Sequence, residues 1–500
     1  MYFLKKFKDL DKYTRLSVIV IALGIILRFA LVFLYHPSGD ACWHLSVSRF
    51  IANNFRIPLL EPLGREVFWE PPVFHVIAAA FYKIFSIFGI KAAESSMKLV
   101  SPIFGSLSLI VTLMILDALF GKKTAFYSII FATFLPINIF YGTIAYTESL
   151  MTFFVLLSVY LIIKNRYVLG SIAFGISLLS KYNAVFTLPL IIYLMYKNNK
   201  PKEFFKKFFI FGIVAALIFL QWMIRNYISL HNPLWPFFTS VFHGYESVET
   251  FKGNNISSIL NINNLFSLYL GIFGVPEGNY QNIFFFKIPF IEMLFAVWLM
   301  ATFLFIIPML FYSGKKDASS KINALLLIWF VPHLLLIMLY VINTSIAYSR
   351  LLVPVVPLFS AVWGLGFSYV LDKLKRFKAV IFFILAILVI GFVAGEFIKG
   401  TLVSKAWNFY QEDFDWVKSN TDPKAIFIAN GQCIPYNIER TSLYANIGNL
   451  NKADYAWVNQ NFKLDSRSKI EQEKLTIVIE KFDIAYSNLK TGTLIYKRKK

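Results

Sequence analysis

Stretches of about twenty apolar residues, each long enough to cross a bilayer as a helix, recur along this chain, and they limit its fold more than any other feature. They run near 16–35, 99–120, 124–141, 146–163, 208–223, 290–312, 322–341, 351–371 and 379–396. Two shorter runs, 167–180 and 182–196, flank Lys181, and a further short run, 73–90, carries Lys83. Hydrocarbon leaves a backbone no partner but itself, so a chain with this pattern is expected to be a bundle of membrane helices. Composition agrees: 57% of the residues are hydrophobic and 15% are charged, against about half and about a quarter in soluble domains.

The net charge of +21 does not point to nucleic acid, because Lys and Arg fall in short clusters between apolar runs, as lipid headgroups and the positive-inside bias dictate. If 73–90 lies in the interface or re-enters, the clusters Lys122-Lys123, Lys164-Asn-Arg166, Lys197 to Lys207, Lys315-Lys316 and Lys373 to Lys378 all fall on the side of the N-terminus. About eleven spans result, with the N-terminus in the cytoplasm and the C-terminus outside. A competing count makes 73–90 cross and fuses 167–196, which moves Glu148 inside. The basic start, Met1 to Arg15, precedes an apolar stretch too long for a signal-peptide core and without a small-residue cleavage site, so it reads as a retained first span. Under either count the loops 36–72 and 225–289 and the tail lie outside. In the tail, Ala425-Ile-Phe-Ile-Ala429 and Leu475-Thr-Ile-Val-Ile479 read as strands. The expected division is a membrane domain over 1–400 and a small soluble α/β domain over 401–500. Cys42 and Cys433 both lie in segments placed outside, where a disulfide is possible, but they are read as ordinary small residues.

The ionisable residues gather at the outer face. After Ser38-Gly39-Asp40, residues Trp43, Val47, Phe50, Ile51 and Phe55 recur at helical spacing, with Asp40, His44 and Ser48 on the opposite stripe, which predicts an amphipathic helix lying on the membrane. Asp40 is either a capping acid or a functional one. The same choice holds for Glu70 in Phe68-Trp69-Glu70-Pro71-Pro72, where Pro71 suits a first helical turn. Lys181, Arg225 and Arg350 sit at the outer rims of other spans. Each could snorkel, but three together suggest an anionic headgroup, a phosphate or diphosphate lipid. Asp40 and His44, four apart, could hold a divalent ion, yet two ligands are too few to require one.

The ordered series Gly39-Asp40, Glu70-Pro71-Pro72, Tyr146-Thr147-Glu148-Ser149, Leu179-Ser180-Lys181, Arg225-Asn226 with Asn232-Pro233-Leu234, and Arg350-Leu-Leu-Val-Pro354 resembles the GT-C superfamily. Within it the chain looks like the branch of dolichyl-phosphate-mannose protein mannosyltransferases and of the aminoarabinose and Rgt-type transferases. The resemblance covers about 15–360 and rests on the order of motifs.

It implies an all-α polytopic domain of the GT-C type, with about eleven or twelve helices and outer amphipathic helices. It also implies a glycosyltransferase fed by a polyprenyl-phosphate sugar, with Asp40 and Glu70 as catalytic acids. Arg225, Lys181, Arg350, His44, Glu148 and Tyr348 then bind substrate or its phosphate. The family often places a second acid directly after the aspartate. Here Ala41 and Cys42 follow, which puts a metal-binding acid pair in doubt. The acceptor is a protein, lipid or glycan. The rival readings are a transporter or flippase, which would carry polar groups at mid-bilayer and inverted repeats, and a scaffold whose tail binds partners through Trp407, Trp416 and Tyr436. Asn255-Ile-Ser257 and Asn343-Thr-Ser345 match glycosylation sequons.

Overall fold

The computed structural model describes residues 9–60, 68–242, 322–344, 347–462 and 469–499, with a few isolated positions besides. The 290–312 span, Lys315-Lys316 and the Asn255 sequon lie outside the described residues. The chain divides into two compact units: Met1–Leu31, Ser101–Thr143 and Thr147–Phe397 form the first, and Val32–Val100, Ile144–Tyr146 and Ile398–Lys500 the second. Among the described residues, six helices are long and apolar enough to cross a membrane: Lys12–Leu34, Ile90–Phe120, Pro201–Leu230, Ile322–Ile342, Ser349–Lys373 and Lys375–Asn408. Val73–Phe88, Thr147–Ile163 and Tyr167–Leu178 are shorter apolar helices.

The first unit is helical. Here α1 (Lys12–Leu34), which continues into the second unit, is followed after Ser101 by the remainder of the helix that ends at Phe120. Next come α2 (Lys122–Phe134), α3 (Pro136–Tyr141), α4 (Thr147–Ile163), α5 (Tyr167–Leu178), α6 (Leu188–Lys197) and α7 (Pro201–Leu230). The run 124–141, continuous by hydropathy, is broken by Pro136. Leu135 before it is extended (φ −64°, ψ 123°), as a residue preceding proline prefers. Proline has no N–H to return to the carbonyl four residues back, and the Asn138 amide donates to that carbonyl, Ala132 O, at 2.6 Å. Arg28, wholly buried, serves the same break by donating to Gly24 O at 3.0 Å, Asn138 O at 3.1 Å and Thr133 O at 3.4 Å. A guanidinium enclosed by carbonyls is how a membrane helix keeps both a charge and an interrupted neighbour.

Small residues then let helices close on one another. The backbone of Gly364 in α8 (Val356–Lys373) comes so near Ser128 of α2 that a Cβ would meet Ser128 Oγ at 2.1 Å. Around this contact Phe367 packs against Tyr127 and Phe131, with ring centroids 5.4 and 6.0 Å apart.

The second unit holds the helices between residues 40 and 97 and the tail. Its helix α9 (Asp40–Asn54) keeps the predicted spacing but is enclosed on both stripes. Every residue from Ala41 to Ser48 is buried, His44 and Ser48 included, which corrects the expectation of a helix with a polar face outward; the stripe is polar because it faces ionisable partners. Helix α10 (Val73–Phe85) follows, with Pro72 rather than Pro71 at its N-cap, and α11 (Ile90–Met97) after it.

The tail begins on the end of α12 (Lys378–Asn408) and forms a five-stranded sheet of order β2-β1-β3-β5-β4. The strands are β1 (Ile426–Ile428), β2 (Thr441–Leu443), β3 (Tyr455–Val458), β4 (Phe482–Asn488) and β5 (Thr493–Arg498). β1 pairs in parallel with β2 and β3, while β5 runs antiparallel to β3 and β4. Residues 475–479, expected as a strand, belong instead to a helix, Gln472–Lys481. Their β-branched side chains favour a strand, but Leu475 and Val478, three apart, reach the core with Ile428 and Phe482, and tertiary packing overrides propensity.

Cys42 and Cys433 form a disulfide across a sequence separation of 391, which overturns their reading as ordinary small residues. It ties α9 to the helix Cys433–Ile438. Arg49 of α9 grips Glu94 with two parallel bonds, Nε–Oε1 2.6 Å and Nη2–Oε2 2.7 Å, and lies over the Tyr436 ring at 4.9 Å. Burial opposes the charge of Arg49, but the Glu94 carboxylate outweighs it and holds the guanidinium pKa above its ordinary value.

Candidate active site

The segment 39–75, in the second unit, builds one cluster. Gly39, at φ 55°, starts α9. A side chain there would be strained by that backbone, and its Cβ would come 3.2 Å from Tyr146 Oη, so the turn calls for glycine. Asp40 is thus the first helical residue rather than the cap, and the positive end of the helix dipole favours its carboxylate. One turn on, His44 Nδ1 lies 3.0 Å from His75 Nε2 and 3.6 Å from Glu70 Oε2. Exposure of these three is only 2%, 0% and 3% in the order His44, His75, Glu70, and their ligand atoms all lie within 4.8 Å of one another.

Aromatic rings wall the cluster. Trp43 meets His75 edge-on at 5.6 Å, Phe68 lies 5.3 Å from His75, and Phe74 and Tyr146 lie 5.6 and 5.8 Å from His44. Glu70 precedes the Pro72 N-cap of α10 by two residues, so the capping role weighed for it gives way to the histidine pair. His75 was missed from the sequence; the signal available was an ionisable residue inside an apolar run, which is functional by default.

The first unit builds the other cluster. Glu148 stands in the first turn of α4 and is 1% exposed. Lys181, on an extended link after α5 (φ −164°, ψ 135°), donates to Glu148 Oε1 at 2.7 Å and Thr147 Oγ1 at 3.3 Å. Arg350 Nε is 3.8 Å from the same Oε1, and its guanidinium lies 4.7 Å over the Tyr348 ring. Two cations therefore converge on one buried carboxylate. Arg225, in α7, has its guanidinium over Trp222 at 4.8 Å and donates to Asn226 Oδ1 at 2.8 Å. Tyr182 beside it accepts from Trp222 Nε1 at 2.7 Å and donates to Trp235 O at 2.8 Å. The structure thus joins Lys181, Glu148, Arg350 and Tyr348 as one set and His44 with Glu70 as another. In the tail, Trp407 and Tyr436 are buried core residues, while Trp416 stacks on Tyr486 at 4.8 Å.

Residues 69–224 match the family model of dolichyl-phosphate-mannose-protein mannosyltransferase. No curated protein matches the chain in sequence. In structure it is similar to ArnT from Cupriavidus metallidurans, solved bound to undecaprenyl phosphate, at 12% identity and TM-score 0.64 over 96% of this chain and 97% of that one. It is also similar to the oligosaccharyltransferase AglB from Archaeoglobus fulgidus, solved with an inhibitory peptide and a dolichol-phosphate, at 12% identity and TM-score 0.58 over 97% of this chain and 74% of that one. The chain is a multi-pass membrane protein with the fold of the GT-C glycosyltransferases. The resemblance to the protein-mannosyltransferase family lies in residues 69–224, and the likeness to ArnT is one of fold.

Proposed function

We propose that this protein transfers a sugar from a polyprenyl-phosphate donor to a hydroxyl acceptor outside the cytoplasm, with inversion at the anomeric carbon. The observation that carries the reading is the convergence of Lys181 and Arg350 on Glu148, which brings two cations together as binding a phosphate requires. The lipid phosphates bound by ArnT and AglB supply the donor class. In the reaction the bond from anomeric carbon to phosphate oxygen breaks and a bond to the acceptor oxygen forms. The phosphate leaves readily as a monoester, so the cations need only meet its growing charge, with Arg225 assisting. Asp40 takes the acceptor's proton, and Glu70, held beside His44, orients the acceptor. A single displacement without a sugar–enzyme intermediate inverts the centre.

The outer location draws support from the Cys42–Cys433 disulfide, since such bonds persist in oxidising compartments. We place the N-terminus in the cytoplasm and the tail, from about residue 401, outside with the second unit. The experiment is transfer by the purified protein from synthetic polyprenyl-phosphate sugars, with the product's anomer read by NMR. Inverted product supports the reading; retained configuration overturns the single displacement, and no transfer from any such donor overturns the donor class.

A further inference from the structure

The geometry points to a divalent metal site formed by His44, Glu70 and His75, for a borderline ion of the zinc type. It stands on the second unit's geometry alone and does not depend on the sugar-transfer reading.

Three donor atoms meet at one point. His44 Nδ1 lies 3.0 Å from His75 Nε2 and 3.6 Å from Glu70 Oε2. Tetrahedral zinc, with bonds of about 2.0–2.1 Å, spaces its ligand atoms about 3.3 Å apart, so both separations are within small rotations of a coordination polyhedron. All three donors are buried, and a divalent cation accepts a lone pair from each of them.

The donor set selects the metal. Two imidazole nitrogens and one carboxylate oxygen suit zinc or cobalt, not magnesium or calcium, which prefer oxygen alone. The walls of Trp43, Phe68, Phe74 and Tyr146 form the apolar shell that limits water around such an ion and strengthens its hold. Three protein ligands leave a fourth position for a water or another oxygen, the composition of an open site. A Glu70 bound through Oε2 keeps Oε1 for its orienting role, and Asp40 lies one helical turn before His44.

The test uses the full-length protein without a histidine tag, purified in detergent, stripped by chelator and loaded with Zn²⁺ or Co²⁺. We expect about one equivalent per chain by elemental analysis and intense four-coordinate cobalt absorption. Melting temperature should rise with added metal. His75→Gln and His44→Gln should each weaken binding by roughly 100-fold or more, while His231→Asn, at an exposed position far in sequence from the cluster, should bind as the parent does. If His75→Gln fails to fold, Glu70→Gln carries the same expectation. Substoichiometric metal in the parent, or binding that survives in both histidine variants, overturns the site. Because metal content and sugar transfer are read separately, either proposal can fail alone.

Discussion

The two units bury charge in opposite ways. In the first, Glu148 lies between Lys181 and Arg350; in the second, Glu70 lies beside the imidazoles of His44 and His75, with Asp40 nearby in sequence. A carboxylate between two cations fixes their positions, an arrangement that suits the phosphate site proposed above. A carboxylate beside imidazoles lies among groups able to carry a proton, which suits the proton transfer proposed above. The function proposed above gives phosphate binding to the first unit and proton transfer to the second.

The largest expected effect tests the proton-transfer half. Asp40→Asn keeps the size of the side chain at the first turn and forfeits only the small dipole term of a charge there, about 0.3–1 kcal/mol, so folding should survive. An amide cannot take the acceptor's proton, and transfer should fall about 10²–10⁴-fold with donor binding retained. Transfer at the parent rate would move the base to Glu70 and erase the contrast.

Next comes the charge balance of the first unit. Glu148→Gln leaves two buried cations facing each other, a loss of about 3–5 kcal/mol for breaking a buried pair, read as a lower melting temperature in detergent. Adding Lys181→Met to that variant removes one of the two facing cations and should restore much of the stability, but not donor affinity. If the single substitution is as stable as the parent, Glu148 does not organise the cations.

Much of this arrangement was legible in the sequence, because each piece is a local feature. Membrane spans declare themselves by length and polarity, and Asp40, Glu70, Lys181 and Arg350 by charge where charge is expensive. What could not be read is pairing. Glu148 and Lys181 are ordinary rim residues until α4 and the link after α5 bring them to 2.7 Å. His75 looked like part of a short apolar run until α9 and α10 placed it against His44. Cys42 and Cys433 carry no spacing that announces a bond. The misread helix 472–481 is the same lesson in the soluble part, where the burial of Leu475 and Val478 outweighed four β-branched residues.

The disulfide sharpens the comparison by acting on one unit only. Cys433→Ser removes the crosslink between α9 and the tail, and should cost about 2–5 kcal/mol of stability. The helices of the first unit should keep their protection from hydrogen exchange, while segments 40–54 and 426–458 lose theirs. Equal loss in both units would mean that they do not unfold separately.

The smallest effect again concerns the second unit alone and turns on His36. Its Nδ1 meets Pro37 O at 2.7 Å, its Nε2 meets Asn437 Oδ1 at 3.2 Å, and its ring stacks on Trp407 at 5.1 Å. Burial pushes its pKa down to about 4, with Lys98 acting in the same direction. The unfolded chain, with an ordinary histidine near 6.5, therefore binds more protons than the folded one between those values. Stability from this group is complete above about pH 6.5 and falls as the pH drops toward 4, by about 2 kcal/mol at pH 5. Chemical unfolding in detergent at pH 7.5 and pH 5 measures it as the difference between parent and His36→Gln. The parent should lose more stability on acidification than the variant does, with the excess confined to exchange-protected amides of the second unit. An equal loss in parent and variant would show that the proton is taken up elsewhere, and the histidine's contacts with Asn437 and Trp407 would then count as packing alone.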